Sequence, residues 1–218
     1  MKKLTPKKED YLKIIFELGG KQRKVSNKQI AEGLSVAAGS VTEMVAKLVT
    51  EGLVEHTPYA GISLTAAGIE IAENLIRRHR LWETFLVSKL NYKLQDVHDD
   101  AEVLEHATSE NLVMHLDQFL EHPKRCPHGG MIPRADSQYV EESYDLLVDA
   151  QDGETKTVDR FVDNHELLTY LDEIDLDIDD ELKIKEHVPF QGPVKVELVR
   201  TGEELNISYN AAHYIFVK

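Results

Sequence analysis

The apolar periodicity of the N-terminal third constrains the fold of this chain most. Apolar residues recur at helical spacing over residues 7–18 and again over residues 38–51. A short helix between them begins at Ser26, because Ser26 and Gln29 form a capping box. Apolar and polar residues then alternate on both sides of a turn at residues 57–61, which predicts a β-hairpin. This order of elements predicts a winged helix-turn-helix, whose third helix enters the DNA major groove.

The charge of the chain is distributed unevenly along its length. The formal net charge is −14, but residues 1–60 contain ten Lys and Arg against seven Asp and Glu. Residues 140–218 contain seven basic and twenty acidic residues, so the N-terminal segment is the one that can approach phosphates without repulsion. The outer face of the third helix carries side chains that suit phosphate and base-edge contacts. The residues predicted to bind double-stranded DNA are Lys28, Gly39, Ser40, Thr42, Glu43 and Lys47.

Beyond the winged helix, the pattern changes from helical to β. Apolar periodicity predicts three helices between residues 65 and 120, and a segment rich in proline and glycine follows at residues 123–137. Short alternating runs with a single helix, His165 to Glu173, then predict a small β-barrel. The expected fold is mainly α with a β C-terminal domain. The predicted domains are a winged-helix domain at residues 1–75, a helical domain at 76–140 and the barrel at 141–218.

The middle helices carry more apolar residues than one small helical layer can bury. A surplus of this kind indicates an interface with a second copy of the chain. The residues expected to hold the homodimer are Val103, Leu104, Leu112, Val113 and Leu116.

Histidines and carboxylates recur at helical spacing in the same middle region. His79 and Glu83 are four residues apart, so both side chains lie on one face of a helix. Helical bundles hold divalent metals between such histidine and carboxylate pairs on facing helices. Imidazole and carboxylate ligands favour Mn²⁺ or Fe²⁺ over a zinc site closed by thiolates. The next helix supplies the further candidates His98, Glu102, Glu105 and His106.

Cys126 is the single cysteine of the chain, which excludes an internal disulfide and fits a reducing, cytoplasmic environment. It lies two residues before His128 in the loop rich in proline and glycine, where both side chains are candidates for metal ligands or loop anchors. No stretch of roughly eighteen apolar residues occurs, so we expect no membrane partner.

Several of these segments together resemble the diphtheria toxin repressor family. They are the winged helix, residues 79–83, the run at 97–106 and the loop at 123–133, and the likeness extends over essentially the whole chain. It is greatest to the manganese-responsive branch that has a C-terminal barrel. The resemblance implies a homodimeric, metal-dependent transcriptional repressor, not an enzyme, that binds palindromic operators of metal-uptake genes. It also implies a helical dimerisation domain bearing the metal sites and a small SH3-like barrel similar to that of ferrous-iron transport proteins (FeoA-like).

The resemblance also assigns the metal ligands by position. Iron sensors of the family have methionine at the position of Asp10 and cysteine at that of Glu102, and the carboxylates found here favour Mn²⁺ instead. The barrel of similar regulators contributes one ligand, for which Asp163 is the candidate. Fe²⁺ is the alternative metal, and the Cys126 thiolate would admit Zn²⁺ or Cd²⁺ in vitro. The implied primary site is Asp10, Glu102, Glu105 and His106, and the implied second site is His79, Glu83 and His98.

Two other functions remain open from the residues alone. The histidine and carboxylate cluster could activate water in a metallohydrolase, which would leave the winged helix without a role. The protein could also be a winged-helix regulator of an organic ligand, in which the histidine–glutamate pairs are purely structural. DNA binding that depends on Mn²⁺ would exclude both alternatives.

Overall fold

The computed structural model describes residues 4–134 and 145–218 and begins with the predicted winged helix-turn-helix. Its elements are α1 (Pro6–Glu17), α2 (Asn27–Gly33), α3 (Ala38–Thr50), β1 (Val54–Thr57) and β2 (Gly61–Leu64). The capping box of α2 is present: Ser26 Oγ accepts a hydrogen bond from the Gln29 amide at 3.2 Å, and Gln29 Oε1 accepts one from the Ser26 amide at 3.0 Å. The wing is antiparallel, with Val54 paired with Leu64.

The apolar face predicted over residues 7–18 is buried in α1. The sequence also predicts that α3 buries Val41, Val45, Leu48 and Val49, and this prediction is wrong at one position. Val49 is 42% exposed, and Met44 is buried instead. Helical geometry explains the difference. Met44 lies three residues after Val41 and four before Leu48, so these three side chains share one face, and Val49 is turned away from it.

A helical layer follows the winged helix. Its helices are α4 (Ala66–Leu90), α5 (His98–Ala107) and α6 (Glu110–Phe119), with a 3₁₀ turn at Leu94–Asp96. Thr65 Oγ1 accepts a hydrogen bond from the Gly68 amide at the start of α4, and Asn91 ends the helix with a left-handed φ of 59°. Because α4 packs against both α1 and α5, it connects the first two regions of the chain. No helix within the described residues is long and apolar enough to cross a membrane.

The C-terminal region is a six-stranded antiparallel sheet with two helices, which confirms the expected small β domain. The elements are β3 (Asp145–Leu146), β4 (Thr155–Phe161), α7 (His165–Glu173), β5 (Glu181–His187), β6 (Val194–Leu198), β7 (Glu203–Ile207), α8 (Tyr209–Ala212) and β8 (Ile215–Val217), with a 3₁₀ turn at Leu147–Asp149. The strand order is β3-β8-β4-β5-β6-β7. The predicted domain boundary between residues 140 and 141 lies outside the described residues.

A bulge in β4 directs the end of this strand toward the helical layer. The pairing of β4 with β8 shifts between Val158 and Arg160, and all residues from Val158 to Phe161 are buried. The Phe161 amide donates a hydrogen bond to the His128 carbonyl at 3.2 Å, which fixes the strand end beside the loop rich in proline and glycine. Asp163, two residues further on, therefore lies at the junction of the sheet and the helices.

Candidate metal centre

Side chains from all three regions of the fold meet in one polar cluster. α4 contributes His79 and Glu83, which are 1% and 0% exposed. α1 contributes Asp10 from the winged-helix region, and the segment after β4 contributes Asp163 from the C-terminal region. α5 and the loop after α6 complete the cluster. Metal-ligand spacing divides its residues into three groups, each with ligand atoms within 4.8 Å of one another.

The first group, which we call the junction centre, is Asp10, Glu105 and His106. Asp10 Oδ1 lies 3.0 Å from His106 Nε2, and Glu105 Oε1 lies 3.5 Å from the same nitrogen. The other ring nitrogen of His106, Nδ1, lies 2.8 Å from Glu9 Oε2. A carboxylate in this position holds the ring of a ligating histidine, so Glu9 is placed to orient His106. Glu9 was not among the residues expected at the site from the sequence.

The second group, which we call the sheet centre, is His79, His98 and Asp163. Asp163 Oδ2 lies 2.5 Å from His79 Nε2 and 2.6 Å from His98 Nδ1. The resemblance places Glu83 with these two histidines, and Glu83 Oε1 does lie 3.1 Å from His79 Nε2. One carboxylate from the C-terminal region thus reaches histidines on two helices.

The third group, which we call the loop centre, is Glu83, Cys126 and His128, and all three side chains are buried. His128 Nδ1 lies 2.8 Å from Glu83 Oε1. Burial raises the pKa of the Cys126 thiol, and the Glu83 carboxylate acts in the same direction, so the metal-free protein holds a neutral thiol here. Because Glu83 also approaches His79, the loop centre and the sheet centre are adjacent.

Glu102 lies beside these groups. Its Oε2 is 3.0 Å from His98 Nε2 and 3.6 Å from Lys13 Nζ. The resemblance assigns Glu102 to the primary site with Asp10, but no three-residue group found in the described part of the chain contains it. The Glu102 side chain would have to turn away from His98 to become a ligand of the junction centre.

Lys13 is a further buried member of the cluster that the sequence did not reveal. Its Nζ lies 3.0 Å from Glu105 Oε2 and 3.0 Å from His79 Nδ1. Burial alone would lower the pKa of Lys13, but the carboxylates of Glu105 and Glu102 raise it above its ordinary value, so the side chain is cationic. One signal could have indicated this position: Lys13 follows Asp10 by three residues and shares its face of α1.

The ionisable groups of the cluster shift one another's pKa. Burial raises the pKa of Asp10 to about 6. Burial would also raise the pKa of Glu83, but His128 lowers it to about 2. Burial would lower the pKa of His98, yet hydrogen bonding to Asp163 and other carboxylate contacts raise it to about 9. At neutral pH the metal-free cluster therefore contains ionised carboxylates and a protonated His98.

The donor set fits divalent metal ions. Among the described residues, Glu83 Oε2, Glu105 Oε1 and Asp163 Oδ1 are buried oxygens without a hydrogen-bond partner. An unsatisfied buried acceptor costs about 1–3 kcal/mol, and more when it is charged. One such oxygen belongs to each of the three centres. Oxygen and imidazole donors suit Mn²⁺ and Fe²⁺, and the thiol of the loop centre also suits Zn²⁺ and Cd²⁺.

The predicted DNA-binding residues lie on exposed positions of α2 and α3. Thr42 Oγ1 accepts a hydrogen bond from Asn27 Nδ2 at 3.3 Å and donates one to the Ala38 carbonyl at 3.2 Å, so this hydroxyl also connects the two helices. Lys28 Nζ lies 3.6 Å from Glu32 Oε1. The exposed set comprises all six predicted positions, Lys28, Gly39, Ser40, Thr42, Glu43 and Lys47.

The helical layer exposes a group of large apolar side chains, but it differs from the predicted set. Val113 and Leu116 are buried within the subunit, where they pack in one cluster with Leu81. The apolar periodicity of a helix cannot distinguish side chains that are buried within one subunit from those that are buried between two subunits. The exposed apolar residues of this layer are Leu90 (53%), Val103 (71%), Leu112 (44%), Met114 (60%) and Phe119 (60%).

A winged helix joined to a helical layer by clustered metal-ligand side chains defines a metal-responsive DNA-binding protein. Residues 3–62 match the N-terminal DNA binding domain of iron dependent repressors, and residues 65–134 match their metal binding and dimerisation domain. Residues 146–218 match the FeoA domain. The chain therefore belongs to the iron dependent repressor family, which includes the diphtheria toxin repressor and whose members are transcriptional regulators rather than enzymes.

Individual relatives agree with this assignment. The HTH-type transcriptional regulator MntR of Oceanobacillus iheyensis is 35% identical over 120 residues, which is 55% of this chain and 81% of that protein. The structure of the manganese regulator SloR is 44% identical, covers 99% of both chains and has a TM-score of 0.82. The structure of ScaR with bound Zn²⁺ is 38% identical, covers 97% of this chain and 98% of the other, and has a TM-score of 0.80.

Proposed function

We propose that this protein is a cytoplasmic, homodimeric repressor that binds palindromic operators of metal-uptake genes when it holds Mn²⁺. The observation that carries the proposal is the junction centre, because its side chains come from two different regions. Asp10 belongs to α1 of the DNA-binding region, whereas Glu105 and His106 belong to α5 of the dimerisation region. A ligand that binds better when these helices are close stabilises that arrangement.

The side chains of the junction centre lack sufficient positive charge of their own. Burial raises the pKa of Asp10 to about 6, and Glu102 contributes to this rise, so ionisation of Asp10 at neutral pH costs free energy in the metal-free protein. A divalent cation bound there would supply the missing charge. Asp10 would then be held against Glu105 and His106, which fixes α1 relative to α5. Because α1 also packs against α2 and α3, the position of α3 becomes fixed in turn.

The orientation of α3 matters because a dimer presents two copies of it to DNA. Two recognition helices bind half-sites about one helical turn of DNA apart, and this spacing is set by the protein. We propose that α1 and α5, once joined, give the two α3 helices the spacing of the operator. In the metal-free protein the same helices would remain able to bind phosphates but would fit the operator poorly.

Mn²⁺ is the proposed metal, with Fe²⁺ as the alternative. Carboxylates and imidazoles form the junction and sheet centres, and these harder ligands favour Mn²⁺ over ions that prefer thiolates. Cys126 makes the loop centre softer, so we expect Zn²⁺ and Cd²⁺ to bind there in vitro. The likeness to the manganese regulator SloR and to ScaR, whose structure holds Zn²⁺, supports this range of metals.

The exposed apolar residues of the helical layer support the proposed homodimer. Val103 on α5 and Leu112, Met114 and Phe119 on α6 are all more than a third exposed, which is costly for a monomer in water. Sedimentation velocity at micromolar concentration should give the mass of two chains. A monomer under these conditions would contradict the proposal.

DNA selection in the presence of metal tests the whole proposal. Random double-stranded DNA would be enriched over several rounds with Mn²⁺-loaded protein, and the affinity for the enriched sites would then be measured by fluorescence anisotropy. We expect palindromic sites and an affinity at least about 100-fold higher with Mn²⁺ than with Mg²⁺ or after chelation. Equal affinity in all three conditions would contradict a metal-activated repressor.

A further inference from the structure

Lys13 occupies the space between two of the metal-binding groups. Its side chain is 7% exposed, and its Nζ lies 3.0 Å from Glu105 Oε2 in the junction centre. The same nitrogen lies 3.0 Å from His79 Nδ1, and His79 belongs to the sheet centre. It also approaches Glu102 Oε2 at 3.6 Å. One ammonium group thus contacts ligand residues of both centres.

Lys13 leaves the metal-facing atoms of its neighbours available. Glu105 uses Oε2 for Lys13, while its Oε1 faces the junction centre and has no hydrogen-bond partner among the described residues. His79 Nδ1 lies 2.5 Å from Glu105 Oε2 and 3.0 Å from Lys13 Nζ, while its Nε2 faces Asp163 in the sheet centre. The ammonium is therefore directed at the far side of each ligand, away from the atoms that would bind a metal.

We propose that Lys13 is a resident cation that neutralises the carboxylates of Glu105 and Glu102 in the metal-free protein. Its charge weakens the binding of Mn²⁺ to the junction centre and to the sheet centre. The inference rests on the proposed function and adds a residue that sets the Mn²⁺ concentration at which the repressor becomes loaded. A buried carboxylate such as Glu105 needs a compensating charge in the absence of metal. Lys13 provides that charge, and the same charge repels an incoming divalent ion.

Two opposing effects determine the sign of the net change. Lys13 donates a hydrogen bond to Glu105 Oε2 and so orients this carboxylate, and an orienting neighbour typically raises metal affinity by about 10–100-fold. Repulsion between the Lys13 ammonium and the metal ion acts in the other direction. Two unit charges about 4 Å apart at an effective dielectric constant near 20 repel by an energy that corresponds to roughly a thousandfold in affinity. The charge of a divalent ion doubles this energy. Repulsion is the larger effect, so removal of the Lys13 charge should tighten metal binding.

The test compares Lys13→Met, which keeps the length of the side chain and removes its charge, with Lys13→Arg, which keeps the charge. The control is Lys21→Met, because Lys21 Nζ also forms a short ion pair, 2.9 Å from Glu73 Oε1, although this pair is more exposed than that of Lys13 with Glu105. Neither Lys21 nor Glu73 belongs to the metal-ligand groups. Two quantities are measured on each full-length protein: the Mn²⁺ affinity, by competition with a chelating dye, and the melting temperature of the metal-free form.

Lys13→Met should bind Mn²⁺ at least about tenfold more tightly than wild type and should melt at a lower temperature without metal. Lys13→Arg should stay within about threefold of wild type, and Lys21→Met should not differ from it. A variant Lys13→Met that folds only with Mn²⁺ would also support the inference, since metal would then replace the missing charge. An ordinary structural ion pair predicts the loss of stability without any gain in affinity.

Three outcomes would contradict the inference alone, and a fourth would also contradict the proposed function. Lys13→Met with unchanged or weaker Mn²⁺ binding would contradict it, as would tighter binding by Lys21→Met to the same extent. Lys13→Met that remains unfolded even with Mn²⁺ would show that metal cannot replace the ammonium. If the wild-type protein itself bound no Mn²⁺ at micromolar concentration, the proposed function would be overturned together with the inference.

Discussion

Replacement of Asp10 by alanine separates the proposed metal response from the stability of the fold. Asp10 Oδ1 lies 3.0 Å from His106 Nε2, and this pair connects the DNA-binding region to α5. Burial raises the pKa of Asp10 from 3.8 to about 6. A folded-state pKa above the unfolded value means that ionisation of Asp10 destabilises the metal-free protein as pH rises from about 4 to 6. The shift corresponds to about 3 kcal/mol at pH 7, since each pKa unit is about 1.4 kcal/mol.

Asp10→Ala should therefore leave the metal-free protein as stable as wild type at pH 7, or more stable by up to about 3 kcal/mol. The effect on metal binding has the opposite sign. Loss of a residue that only orients a ligand costs about 10–100-fold in metal affinity, so loss of a direct ligand should cost at least about 100-fold, or 2.7 kcal/mol. A complete switch between two states needs about 5.5 kcal/mol. Asp10→Ala should thus remove about half of the switching free energy.

The assay is DNA binding by fluorescence anisotropy across a Mn²⁺ titration, with urea unfolding of the metal-free proteins alongside. Asp99→Ala is the matched control, because Asp99 is an exposed carboxylate on α5. Wild type and the control should show the full gain in DNA affinity. For Asp10→Ala, which should remain folded and dimeric, the gain should be about 100-fold smaller, as the loss of about 2.7 kcal/mol requires. Equal stimulation of wild type and Asp10→Ala would refute the reasoning, because the metal would then act without joining α1 to α5.

Glu9, His98 and Lys47 give three further predictions. Glu9→Gln should weaken Mn²⁺ binding about 10–100-fold by calorimetry, because Glu9 Oε2 lies 2.8 Å from His106 Nδ1, and unchanged affinity would exclude an orienting role. Burial would lower the pKa of His98, but hydrogen bonding to Asp163 raises it to about 9, so Mn²⁺ must displace a proton from this ring. Mn²⁺ affinity should therefore rise from pH 7 to 9. Calorimetry in two buffers of different ionisation enthalpy should give different apparent binding enthalpies, and equal values would contradict proton release. Lys47→Ala should weaken binding to all DNA sequences alike and reduce the salt dependence by about one phosphate contact, and a changed base preference with an unchanged salt slope would contradict it.

Local patterns in the sequence were sufficient for most of the fold. α7 has the predicted bounds, His165–Glu173, because its cap and its apolar period lie within the helix itself. α8, at Tyr209–Ala212, is only four residues long and shows no period. In α3, Met44 replaces Val49 in the core, since two adjacent residues both fit an apolar period and packing selects between them.

The site is harder to predict than the fold because its partners are distant in sequence. Lys13 contacts Glu105, 92 positions away, and its spacing of three residues from Asp10 indicates a shared helix face but not that contact. Asp163 contacts His79 across 84 positions, and only the family resemblance indicated a ligand from the C-terminal region. Helical spacing did indicate His79 and Glu83, because that information lies within one turn of α4.

Anomalous X-ray scattering from crystals of the Mn²⁺-loaded protein tests the central claim most directly. The claim is that one ion joins the DNA-binding region to the dimerisation region. Data collected on both sides of the manganese absorption edge should show a peak within bonding distance of Asp10, Glu105 and His106. A protein whose manganese peaks all lie among ligands of the dimerisation and C-terminal regions, with Asp10 unbound, would contradict the account.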